Sequence, residues 1–128
     1  MSALTEGQHT GEFILAMPDP LISMEKKTVT VAAATKLESG HVLAELSATG
    51  KFVEYDNVGT DGSEEAAGVL YNECDNTDGE AEADFDANVV LRAAAVRKGD
   101  LQWASGMSAG GKTAAYADLA ASHIIARD

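Results

Sequence analysis

Cysteine, proline, aromatic side chains, positive charge and long apolar runs are all scarce in this chain. The single cysteine, Cys74, excludes an intramolecular disulfide framework and suits a reducing cytoplasm. Both prolines, Pro18 and Pro20, lie near the start, so proline does not interrupt the rest. Aromatic residues make up 5% of the chain, too few for a base-stacking platform. Nine Lys and Arg stand against 21 Asp and Glu, giving a net charge of −12 and a pI near 4.4. Duplex DNA and anionic membranes would repel such a surface, so neither is an expected partner. No apolar run approaches the roughly 18 residues that a spanning helix needs. The first 20 residues lack a basic stretch followed by an apolar core, so no secretory leader is expected.

What is present is enough for one domain. A chain of 128 residues buries roughly two-thirds of its unfolded surface and needs no staples. Residues 1–22 read as a separate extended arm and 23–128 as the globular body. The prolines exclude a helix running through them and bias Met17 and Asp19 toward extended backbone. The one apolar cluster of this arm is Phe13-Ile14-Leu15, so the segment reads either as a frayed terminus or as an arm that pairs with another subunit through that cluster and contributes little to the fold.

From Lys27 the periodicity is β. Lys27–Ala33 alternates Thr and Val, placing Val29 and Val31 on one buried face. His41–Ser47 and Lys51–Tyr55 flank Ala48-Thr49-Gly50, a three-residue hairpin loop with glycine in the left-handed position. Ala66–Cys74 and Asn88–Val96 are apolar on both faces and read as covered strands, with a short strand at Leu101–Trp103. Ser108 caps an alanine-rich helix over Ala109–Ala121, with Tyr116, Leu119 and Ala120 on one side. Ile124-Ile125-Ala126 reads as a last strand.

Two motifs invite chemistry. Gly106–Thr113, GMSAGGKT, matches the phosphate-loop pattern, in which Lys112 would reach phosphates and Thr113 would ligate Mg²⁺. The 15 residues after Thr113 supply neither a Mg²⁺-directing carboxylate strand nor a parallel sheet, so nucleotide binding is the minor alternative. The acidic run Glu73–Asp86 places Asn76, Asp78 and Gly79 as an EF-hand would. It also puts Cys74 and Phe85 where carboxylates belong, so it reads as a solvated loop. His9, His41 and His123 are too scattered for metal-ligand spacing, and Cys74 has no base beside it in sequence. No nucleophile–base order stands out, so no enzyme, cofactor, metal site or small-molecule substrate is expected.

The richest stretch is Gly40–Tyr71, GHVLAELSATGKFVEYDNVGTDGSEEAAGVLY. Its succession Gly40-x-Val42-Leu43, Gly50-Lys51, Tyr55, Asp61-Gly62 and Ala66-x-Gly68-Val69-Leu70 resembles the head decoration proteins of tailed bacteriophages, the lambda-type capsid cement family. The likeness runs from about Leu37 to Arg127. It takes in Val90-Leu91-Arg92, Leu101-x-Trp103 and the alanine-rich helix, while Asn72–Asp75 departs from the pattern. The resemblance implies a mainly β, β-clip-like fold, a bent ribbon or incomplete barrel with one short helix toward the C-terminus. It also implies a structural virion protein, made in the host cytoplasm and bound to the outer surface of an expanded phage head. There it would act as a homotrimer on the major capsid protein at local three-fold positions, holding the shell against internal DNA pressure. Phe13, Ile14 and Leu15 stand where that family carries its capsid-binding arm. A trimeric minor virion or fibre module is the other alternative.

Overall fold

The computed structural model describes residues 10–128. Ten strands and two helices follow in the order β1 (Ile14–Ala16), α1 (Pro20–Ser23), β2 (Met24–Val31), β3 (Thr35–Leu37), β4 (Val42–Glu45), β5 (Phe52–Glu54), β6 (Ala66–Leu70), β7 (Cys74–Asn76), β8 (Ala83–Val90), β9 (Ala94–Arg97), α2 (Ala109–Ala121) and β10 (Ile124–Arg127). The fold is mainly β, as the sequence indicates. The ribbon closes: β2-β5-β4-β6-β8 form a barrel, beside a β1-β9-β10 sheet and a β3-β7 pair.

The barrel has a strong seam and a narrow one. β2 and β8 pair antiparallel over eight residues, from Met24↔Val90 to Val31↔Ala83. The closing parallel contact of β2 with β5 is the single register pair Val29↔Phe52. The β4–β5 hairpin forms as its loop predicts, with Gly50 at φ +72° and its N–H donating to the Leu46 carbonyl at 2.9 Å.

Two apolar clusters explain why several strands are apolar on both faces. Val29, Leu43, Phe52, Leu70 and Val89 come from all five barrel strands, so their cluster is the barrel interior. The neighbouring residues Val42, Ala44, Val69 and Val90 point the other way. They meet Phe13, Val96, Leu119 and Ile124 beneath α2 and the three-stranded sheet. β4, β6 and β8 thus divide their buried side chains between two cores, as period-two geometry requires.

Several boundaries differ from the sequence reading. Asn88–Val96 is broken after Val90, because β8 belongs to the barrel and β9 to the other sheet. Ala93 takes φ +55° at the turn, and its carbonyl accepts the buried Ser23 hydroxyl at 3.0 Å. Ala66–Cys74 likewise splits into β6 and β7. Between them the Asn72 side chain accepts the Asn88 N–H at 2.9 Å, replacing a main-chain partner. Part of the expected acidic loop is strand: β7 pairs with β3, and β8 starts at Ala83. Leu101–Trp103 contributes a single bridge, His41↔Gln102. In α2 the buried positions are Gly111, Ala115 and Leu119, while Tyr116 is half-buried and Ala120 exposed. Pro20 opens the short α1 turn, the position where proline's missing N–H costs nothing; Asp19 caps it by accepting the Leu21 N–H at 3.1 Å.

Candidate functional site

The N-terminal segment is docked rather than free over its described part. Phe13 is fully enclosed, its carbonyl accepts the Arg97 N–H at 2.8 Å, and β1 pairs with β9. Over this described part Phe13 fills the core between sheet and barrel. Residues 1–9 of the expected arm lie outside the described residues. Of the triplet, Phe13 is core, Ile14 is half-buried and Leu15 is 41% exposed. Beyond it Leu21 is 92% exposed and Ile22 is also exposed, on the α1 turn. The Arg92 guanidinium holds this turn by donating to the Ile22 carbonyl and to Glu25. Alternation puts Ala95, Arg97, Ile125 and Arg127 on the outer face of the three-stranded sheet, where Ile125 is 42% exposed.

The phosphate-loop-like segment is wound into the start of α2. The Ser108 hydroxyl accepts the Gly111 N–H at 3.0 Å, occupying a donor that a phosphate would use. The Thr113 hydroxyl donates to the Ala109 carbonyl at 3.0 Å. The Lys112 ammonium lies 5.8 Å from the centre of the Trp103 ring. Tyr55 donates its hydroxyl to the Gly111 carbonyl at 2.9 Å, and a β-carbon at Gly111 would come within 2.6 Å of the Met107 sulfur. Glycine at 111 therefore allows the Met107 and Asn57 side chains to approach the helix start closely.

The acidic run is also engaged internally. The Asn76 amide nitrogen lies 3.2, 3.0 and 3.1 Å from the carbonyls of Val31, Ala32 and Ala81, turned inward from any calcium position. The Thr77 hydroxyl, and after it the Thr77 N–H at 2.9 Å, donate to Asp75 and hold its carboxyl below the ordinary range. Among the described residues no three His, Cys, Asp or Glu are grouped to hold a metal ion. Cys74 is buried, and desolvation with nearby Glu73 pushes its thiol up to about 11. A thiol so held is protonated and inert at neutral pH.

Sequence reasoning missed two features that depend on tertiary pairing. His41 is buried on β4's approach, with Nε2 2.9 Å from a Glu54 carboxylate oxygen on β5. The contact is close but off-line, leaving Nε2 without an aligned hydrogen bond. We therefore read it as an ion pair formed when the imidazole is protonated. His41 holds the Glu54 carboxyl below its ordinary range, against the opposing effect of burial. Beside this pair opens a cleft of about 720 Å³. Val53, Val58 and Met107 give it apolar wall, while Asp56, Asp61 and Glu82 stand around it as carboxylates. Val58 is 79% exposed at this cleft.

Among the described residues the arrangement offers exposed apolar side chains on β1 and α1, an acidic cleft, and loops engaged internally. The whole is a mainly β domain built on a five-stranded barrel with one helix toward its C-terminus. The model of the family "Bacteriophage lambda head decoration protein D" matches residues 3–124, and the chain belongs to that family. No curated protein matches it. The family is a structural component of the phage head, which gives this chain the capsid as its partner and the virion as its place.

Proposed function

We propose that the chain works as a homotrimer on the outer surface of expanded phage heads. It binds the major capsid protein at local three-fold positions and holds the shell against internal DNA pressure, without catalysis. The match of the family model across residues 3–124 is the observation that carries this reading. Three copies multiply weak contacts into durable attachment, so no single site needs high affinity.

Capsid attachment falls to the N-terminal segment, residues 1–22, with Phe13, Ile14 and Leu15 at its centre. The three take different parts. Phe13 anchors the segment in the core, Ile14 is shared, and Leu15 offers its exposed side chain to the shell, with Leu21 and Ile22 beyond. Edge-strand addition at β1 would give affinity through backbone hydrogen bonds and selectivity through alternate side chains.

Purified expanded heads provide the test. The protein should bind them saturably and raise the temperature at which they burst, by mass action on the intact shell. A Leu15→Asp/Leu21→Asp variant should bind markedly less while melting like the parent. Protein that ignores expanded heads yet sediments as a trimer would favour the fibre-module alternative.

A further inference from the structure

We propose that copies meet head to tail, the basic end of the β1–β9–β10 sheet of one seating in the acidic cleft beside Val58 of the next. This rests on the homotrimer reading above. Around a three-fold axis every contact joins two different faces of the chain. Each copy carries −12, so two acidic faces brought together would repel. The charge is uneven, however. Residues 1–91 hold four basic and eighteen acidic side chains, net −14, whereas residues 92–128 hold five basic and three acidic, net +2.

Three of these five positive side chains, Arg97, Lys98 and Arg127, lie at one end of the sheet, while Arg92 is held by Glu25 and Lys112 lies over Trp103. The parallel β9–β10 register sets Arg127 beside Arg97, and Lys98 follows directly. Asp100, 3.8 Å from Arg97, and Asp128, 3.9 Å from Lys98, offset part of that charge. Arg127 has no ion pair among the described residues. The exposed Ile125 gives the same face an apolar centre. The cleft is its complement: concave, about 720 Å³, with exposed Val58 and the carboxylates of Asp56 and Glu82. Of its carboxylates, Glu54 faces His41, Asp61 is held by Ser63, and one Asp56 oxygen accepts the Val58 N–H at 3.1 Å, so the charge on offer is that of Glu82 and the other Asp56 oxygen.

Paired charge reversal tests the contact in the full chain. Arg97→Glu/Arg127→Glu should raise the trimer dissociation constant at least about tenfold in sedimentation equilibrium, because like charges would then face each other. Asp56→Lys/Glu82→Lys should do the same. The quadruple variant restores opposite charges across every contact and should recover trimer to near the parent level. All four side chains are exposed, so the unfolding curve of each variant should match the parent and serve as the folding control. Trimers indifferent to either reversal, or a quadruple variant no better than the doubles, would overturn the head-to-tail contact while leaving the trimer standing. A parent protein that is monomeric both free and on heads would remove the trimer reading itself.

Discussion

Phe13 shows how much one residue can decide. It sits in the first tenth of the chain, between a glycine and two prolines, yet its ring lies at 0% exposure against Val96, Leu119 and Ile124. Phe13→Ala should lower unfolding free energy by about 3–5 kcal/mol, the usual cost of emptying a core phenylalanine site. Denaturant titration measures it, and Leu15→Ala in the same assay should change stability by no more than about 0.5 kcal/mol. Glu54 carries a second residue-scale expectation. Its folded-state pKa is depressed from 4.5 by His41, so its contribution is present above the unfolded value and fades as pH falls through the lower folded value. Glu54→Gln should accordingly flatten the loss of stability on the acid side of pH 4.5, measured as unfolding free energy against pH. An unchanged acid limb would mean the pair does not stabilise the fold.

At the scale of elements, the phosphate-loop match dissolves into helix capping. Ser108 satisfies one of the orphan N–H groups of α2, so Ser108→Ala should cost about 0.5–2 kcal/mol. Lys112→Ala removes a half-exposed cation from the Trp103 face and should cost no more than about 1 kcal/mol, with head binding unchanged. A reversed order, with Lys112 the costly position and nucleotide raising the melting temperature, would restore the nucleotide reading. Elements also explain the misplaced boundaries. Asn88–Val96 reads as one apolar run because both halves are covered, and nothing in apolarity alone marks the handover from barrel to sheet at Ala93. The β3–β7 pair was invisible because Thr35–Leu37 and Cys74–Asn76 are three residues each and find each other across a long stretch of chain.

For the whole molecule, the uneven barrel seams predict where it opens first. The β2–β8 ladder carries eight register pairs and the β2–β5 closure one. Hydrogen exchange should show β5 amides opening by local fluctuation while mid-ladder amides of β2 and β8 exchange only on global unfolding. Uniform protection across both seams would count against this.

The sequence by itself determined the class of fold, the hairpin at Gly50, the helix behind Ser108, the terminal strand and the family, because each is written in local periodicity, turn chemistry or ordered motif. It also determined the molecule's acidity, a net charge of −12. Only the tertiary structure decided that the barrel closes, that Phe13 is core while Leu15 is surface, and that His41 meets Glu54. Those facts depend on which strands become neighbours, and neighbours far apart in sequence leave no local pattern from which to read them.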